Sequence, residues 1–267
     1  MALVLKFLYT NINYLFVEHE DARTKDFPII HSLPQVIAII ASYLYFTKSW
    51  GPRFMESRKP YELKAILIIY NTLQVLANIW LGLYATYHSY WRGGWNFFCE
   101  PIRQDFSPQG YRVAFVVYCY YLLKVTDLLD TVFFVLRKKY NQITFLHVYH
   151  HAMMVFGTYI ASKFAIAGHA SMLGIVNCYV HAIMYMYYLI SSFKPDMKKS
   201  IWWKKHITHV QMIQFTFLIF HFGRPLVMQD CDYPQAMSAI CFVQNLFMLV
   251  LFSDFYRKAY LTKKKEI

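Results

Sequence analysis

Ionisable and hydrogen-bonding side chains stand inside stretches of this 267-residue chain that are otherwise apolar. The stretch 143–162 carries His147, His150 and His151, with Gln142 just ahead of it. The spacing i, i+3, i+4 puts the three imidazoles on one face of a helix. In 170–192, Asn177, His181, Tyr185 and Tyr188 recur at i, i+4, i+8 and i+11, again one stripe, with Tyr187 alongside. In 113–136, Lys124, Asp127 and Thr131 share a face, and Asp130 lies close by. A Lys–Asp pair there lowers the cost of burying both charges. The stretch 207–223 opens with Thr208, Gln211 and Gln214. Neutral imidazole accepts an acyl group from a thioester, moves protons, or ligates a metal. Ionisable groups in an apolar helix are costly, so each is read first as part of a site.

The composition specifies which elements must hold these groups. The chain is 57% hydrophobic and 16% charged, against about 25% charged residues in an ordinary soluble domain. With 9 Gly and 9 Pro, collagenous and low-complexity disordered classes are excluded, and 5 Cys are too few for a disulfide-dense mini-domain. What remains is an all-α integral membrane protein, a single polytopic domain over 1–267. Stretches near the ~20 residues needed to cross a bilayer fall at 29–47, 65–87, 113–136, 143–162, 170–192, 207–223 and 235–256. Only Pro34 lies within one of them; the other prolines mark connections or ends, where a missing N–H costs little. The runs lack the alternation of barrel strands, so seven transmembrane helices are expected. Four polar stripes on four helices are most economically satisfied by facing one another across an interior cavity.

Basic residues orient the helices. With the N-terminus outside the cytosol, the cytosolic connections collect Lys48, Arg53, Arg58, Lys59 and Lys64; Arg137, Lys138 and Lys139; Lys194, Lys198, Lys199, Lys204 and Lys205; and Arg257, Lys258, Lys263, Lys264 and Lys265. That is 18 of the 27 Lys and Arg residues, so the +12 net charge is a cytosolic property. No basic soluble module is present to bind nucleic acid. The first 16 residues are interrupted by Asn11 and Asn13 and lack a small-residue cleavage site, so no signal peptide is expected. The C-terminal Lys264-Lys265-Glu266-Ile267 resembles an endoplasmic-reticulum retrieval signal if cytosolic. Cys119, Cys178 and Cys241 fall within spans as packing residues. Cys99 and Cys231 fall in different connections on the same lumenal face, where an oxidising compartment permits them to pair. On this orientation the histidine-bearing site opens to the cytosol, at a mouth ringed by Arg137, Lys138, Lys139, Lys204 and Lys205. An anionic, lipid-linked substrate such as an acyl-coenzyme A suits that mouth, phosphates at the rim and acyl chain among the helices.

Taken together, the four elements resemble those of the very-long-chain fatty acid elongases, the membrane 3-oxoacyl-CoA synthases. Gln142–His151 is similar to that family's QxxFLHxYHH box, Asn177–Tyr188 to its NxxxHxxMYxYY stripe, Thr208–Gln214 to TxxQxxQ, and Lys124–Thr131 to KxxExxDT. An HxxHH alone also occurs in desaturases and hydroxylases; four ordered motifs are far more specific. One position departs, since Asp127 stands where the family pattern has Glu, keeping the charge but shortening the reach. The resemblance implies helices two to seven forming a ring around a closed-ended acyl tunnel, with the first span outside it. It also implies decarboxylative condensation of a long-chain acyl-CoA with malonyl-CoA to a 3-oxoacyl-CoA two carbons longer.

No Cys is embedded in the box, so His150 is expected to take the acyl group, with His181 assisting or polarising the malonyl unit. His147 and Gln142 would hold the thioester end, and Asp130 or His151 would fix an imidazole tautomer. Contacts to coenzyme A and carbonyl groups are expected from Lys124, Arg137, Lys139, Tyr187, Lys204, Thr208 and Gln211, with Asp127 and Asn177 in support. No cofactor and no metal is expected. The lipid bilayer and other elongation-cycle enzymes are the expected partners, a homodimer is left open, and nucleic acid is not expected. The rival readings are a di-metal lipid desaturase or hydroxylase, for which Glu-x-x-His pairs are missing, and a seven-helix receptor or transporter.

Overall fold

The computed structural model describes residues 20–30, 32–194, 196–197, 200–228 and 230–262. The expectations for the first 16 residues and for the dilysine tail lie outside the described residues. Each of the seven apolar stretches contains a helix, and no strand occurs among the described residues. The helices are α1 (Leu33–Tyr45), α2 (Gly51–Met55), α3 (Lys64–Thr86), α4 (Pro108–Thr126), α5 (Leu129–Leu136), α6 (Phe145–Phe164), α7 (Ser171–Phe193), α8 (Ile201–Val227) and α9 (Gln235–Tyr256). Wider π-type turns continue α1, α3 and α9 at their C-terminal ends. Among the described residues, three runs are long and apolar enough to cross a membrane: Lys64–Trp91, Ser171–Phe193 and Gln235–Leu261. α1 is only 13 residues long, and the third stretch is interrupted.

Interruption is plainest in the third stretch, expected as one helix over 113–136. It begins earlier, at Pro108, where Ser107 caps the helix by accepting from the Gly110 N–H at 3.2 Å and proline takes the first position. It then breaks between α4 and α5. Leu128, Asp130 and Thr131 donate their N–H groups to the carbonyls of Val125, Asp127 and Leu128, an i−3 pattern tighter than the α-helix. The Thr126 hydroxyl donates to the Leu123 carbonyl at 2.7 Å and so competes with the helical ladder just before the break. Asp127 therefore sits at a change of helical pitch. α8 begins at Ile201 rather than 207, because Trp202, Trp203, Lys204 and Lys205 continue the helix with their side chains largely exposed. Pro34 belongs to the first turn of α1 rather than to a helix interior.

The chain divides into two compact units. One holds the described residues up to Tyr61 with Arg103–Ala167, and so contains α1, α2, α4, α5 and α6. Its core joins Ile30, Val36 and Tyr43 to Tyr121, Leu128, Val148, Val155 and Tyr159. At one end, residues 20–24 are tied to the end of α6. Asp21 N–H donates to the Lys163 carbonyl at 2.8 Å, the Thr24 hydroxyl to the Ser162 carbonyl at 2.9 Å, and Lys163 pairs with Glu20. Arg23 pairs with Asp21 and donates to the carbonyls of Arg103, Asp105 and Ile166. At the other end, Tyr61 N–H donates to the Leu136 carbonyl at 3.0 Å and Lys138 Nζ to the Glu56 carbonyl at 3.2 Å. Each set of ties joins segments that the basic-residue reading assigns to a common side.

The second unit holds Glu62–Ile102 and the described residues from Gly168 onward, with α3, α7, α8 and α9. α3 packs along α7, and α8 along α9. Cys99 and Cys231 are disulfide-bonded, with Cα atoms 5.8 Å apart, as their common side led us to expect. Beside α8 lies an imidazole pair. His169 Nε2 donates to the His221 carbonyl at 2.9 Å and His221 Nε2 to the His169 carbonyl at 3.1 Å, with the two rings stacked at 3.7 Å. Carbonyl oxygens only accept, so both rings carry a proton on Nε2. In His169, in the turn ahead of α7, burial lowers the pKa below the ordinary imidazole value, and the bond to the His221 carbonyl opposes that shift only in part.

Candidate active site

In the first unit the site is built on α4, α5 and α6. Thr144 caps α6 by accepting from the His147 N–H at 3.3 Å, so the histidine box opens in the first helical turn. Gln142, expected at the head of this helix, belongs instead to a separate short turn, Tyr140–Gln142, and its side chain is exposed. The helix does not reach back to Gln142 because Ile143 and Thr144 have irregular or extended backbone.

The imidazoles come together as the spacing requires. The rings of His147 and His151 lie 4.3 Å apart, and those of His150 and His151 lie 5.5 Å apart, edge to face. His151 is buried, whereas His147 and His150 are partly accessible. Lys124 and Asp127 are both buried, and Lys124 Nζ donates to Asp127 Oδ2 at 2.9 Å. The shorter acid thus still reaches the lysine, three positions before it on the helix. Removing one partner from a buried ion pair is strongly destabilising. Thr131 is fully buried and its hydroxyl lies 2.7 Å from His147 Nε2. Asp130 or His151 was expected to fix an imidazole tautomer; the partner seen at His147 Nε2 is the Thr131 hydroxyl. Arg137 is partly buried at the end of α5, and Lys139 is exposed.

In the second unit, α7 buries Asn177, His181 and Tyr185 on one stripe, while Tyr188, expected on the same stripe, is exposed. The rings of His181 and Tyr185 lie 5.8 Å apart. Tyr187 is partly buried and its hydroxyl donates to the Met197 carbonyl at 3.4 Å. On α8, Thr208 and Gln214 are buried. The Thr208 hydroxyl donates back to the Lys204 carbonyl at 2.9 Å, and Gln211 Nε2 approaches Met184 Sδ at 3.7 Å. The Lys204 side chain itself is exposed.

Sequence reasoning missed a polar ladder on α3. Tyr70, Gln74 and Asn78 are buried at i, i+4 and i+8. Asn78 Nδ2 donates to Gln74 Oε1 at 3.3 Å, and Gln74 Nε2 to the Tyr70 hydroxyl at 3.0 Å; that hydroxyl lies 3.5 Å from the hydroxyl of Tyr185. The periodicity that singled out the other stripes is present here too, without an ionisable residue to draw attention. Among the described residues, no three His, Cys, Asp or Glu side chains converge as a metal site.

Comparison with known proteins adds an independent finding. The ELO family model, described as the GNS1/SUR4 family, matches residues 28–267. Very long chain fatty acid elongase 7 of Drosophila melanogaster is 38% identical over 259 residues, covering 97% of this chain and 78% of that protein. Very long chain fatty acid elongase 7 of Rattus norvegicus is 38% identical over 247 residues, 92% of this chain and 87% of the relative. Very long chain fatty acid elongase 1 of Mus musculus is 35% identical over 259 residues, 96% of this chain and 92% of the relative.

Proposed function

The chain belongs to the GNS1/SUR4 (ELO) family, and from that membership we propose that it is an acyltransferase that condenses a long-chain acyl-CoA with malonyl-CoA, the first step of fatty acid elongation. The observation that carries this reading is the imidazole cluster in the first turns of α6, with His147 held by Thr131 and a buried Lys124–Asp127 pair in the same unit. Relatives named as fatty acid elongases and matched over nearly the whole of this chain support it. Nothing observed favours a desaturase, hydroxylase, receptor or transporter.

In this proposal His150 attacks the thioester carbonyl through its neutral ring nitrogen. The C–S bond breaks, coenzyme A leaves as the thiol after taking a proton, and an acyl-imidazole remains. Malonyl-CoA then loses carbon dioxide, and the electron pair released forms the new carbon–carbon bond at the acyl carbonyl. Imidazole departs with its electron pair restored, so one proton is consumed overall and the 3-oxoacyl-CoA is two carbons longer. His181 assists at the same centre or polarises the malonyl unit. His147 and Gln142 hold the thioester end, and Asp130 or His151 fixes an imidazole tautomer. Gln142, Lys124, Arg137, Lys139, Tyr187, Lys204, Thr208 and Gln211 bind the acyl and coenzyme-A parts of the substrates, with Asp127 and Asn177 in support. No cofactor or metal takes part. The proposal includes seven crossings with spans two to seven walling an acyl tunnel, residence in the endoplasmic reticulum membrane with the N-terminus lumenal, and cooperation with the other enzymes of the elongation cycle.

The test uses purified protein in lipid nanodiscs. His150→Ala is expected to abolish condensation while membrane insertion and melting behaviour persist; turnover at the wild-type rate would reject the assignment. Exposure to acyl-CoA alone should release coenzyme A and leave acyl mass on the α6 peptide. Release only after malonyl-CoA is added would instead support direct transfer.

A further inference from the structure

The family likeness places the first span outside the helices that carry the motifs, and none of its residues was expected to take part. The structure connects it to the histidine box. Tyr43, on α1, is 6% exposed, within the core that α1 shares with α6. Its hydroxyl lies 2.9 Å from Thr131 Oγ1, and Thr131 Oγ1 lies 2.7 Å from His147 Nε2. The other surfaces of the His147 ring meet Phe134 on α5, at 5.2 Å, and His151 on α6, at 4.3 Å.

The chain of bonds has a direction. Thr131 has one hydroxyl proton and can give it either to Tyr43 or to His147. A phenol is the stronger acid and therefore the better donor to an aliphatic hydroxyl. With Tyr43 donating to Thr131, the threonine proton points at His147 Nε2. His147 then accepts at Nε2 and keeps its own proton on Nδ1. Without Tyr43, Thr131 is free to turn round and accept from Nε2–H, and the opposite tautomer becomes available.

We propose that Tyr43 is a positioning residue for the condensation, which acts through Thr131 to hold His147 as its Nδ1–H tautomer beside His151. The inference rests on the functional reading above and adds a residue and a helix to it. Outer partners of this kind fix imidazole tautomer and orientation, and their loss characteristically costs about 10–100-fold in activity at metal sites.

Tyr43→Phe keeps the ring and removes only the hydroxyl. In the full chain in nanodiscs, kcat for condensation is expected to fall about ten-fold while KM for acyl-CoA stays within about two-fold. Thr131→Val should lower kcat at least as much, and the double variant should be no worse than Thr131→Val alone. Thr131→Ser, which restores the hydroxyl, should restore the rate. Tyr45→Phe, at a ring 62% exposed, is the packing control and should leave kcat unchanged. Solid-state 15N spectra of histidine-labelled protein, assigned through His147→Gln, read the tautomer directly. They should show His147 protonated at Nδ1 in the wild type and a mixed or reversed tautomer in Tyr43→Phe. An unchanged kcat or an unchanged tautomer in Tyr43→Phe overturns the proposal. If the wild type itself fails to condense, the functional reading falls, and the tautomer measurement alone decides the connection from Tyr43.

Discussion

A residue buried in an apolar helix has to find its partner nearby or give up its charge, and this chain solves the problem within one turn wherever it can. Lys124 and Asp127, three apart, pair directly. Asp127→Asn would remove the carboxylate that Lys124 Nζ bonds, and we expect it to destabilise the protein by about 3–5 kcal/mol, read as a lowered melting temperature in detergent. Asp127→Glu, which restores the charge with a longer reach, should recover most of that loss. Partnerships at i, i+3 and i+4 were legible in the sequence because helical periodicity alone brings the groups together. That is why the imidazole cluster and the Lys–Asp pair stand where the spacing put them. Tyr43 and Thr131 are 88 positions apart, and no local rule connects them. The tyrosine gave no signal among the 23 in the chain. The exposed Gln142 and Tyr188 mark the opposite failure: a motif position is not evidence of burial.

At the level of elements, the helix caps decide where the chemistry begins. Thr144 both ends the irregular segment and receives the His147 N–H, so Thr144→Ala should cost about 1 kcal/mol and lower condensation by loosening the first turn of the box. Thr144→Ser should restore both, measured by melting temperature and initial rate. The expected stretch 235–256 coincides with α9 because its apolar run ends at charged residues. The break after Thr126 was not legible, since neither Gly nor Pro marks it and a hydroxyl turned back on the helix supplies the cause. The His169–His221 pair makes a further prediction. The pKa of His169 is lowered on folding, so its contribution to stability is fully present above the unfolded value near 6.5. It is lost as pH falls from there toward the folded value. Melting temperature should therefore drop on acidification below about pH 6.5, and His169→Gln should flatten that dependence.

For the whole molecule, composition and the distribution of basic residues told more than any motif. They identified a membrane protein and put Cys99 and Cys231 together across 132 positions. Closing so long a loop restricts the unfolded chain by ~5 kcal/mol on the chain-entropy account. Cys99→Ser, or reduction, should accordingly lower the melting temperature, with the loss of the crosslink visible as altered migration on non-reducing gels. The partition into two units was not legible, because each unit is assembled from segments far apart in sequence.

The contacts of residues 20–24 with the end of α6 bear on biosynthesis. Glu20 and Asp21 leave the ribosome long before Lys163 is translated, yet Lys163 is almost wholly shielded in the finished protein and Glu20 is its counter-ion. The contact between residues 20–24 and the end of α6 can therefore form only after α6 has been made. A chain whose arm is cleaved or held elsewhere during translation would lose that counter-ion to a buried ammonium group, a defect that quality control can recognise before any catalytic residue is tested.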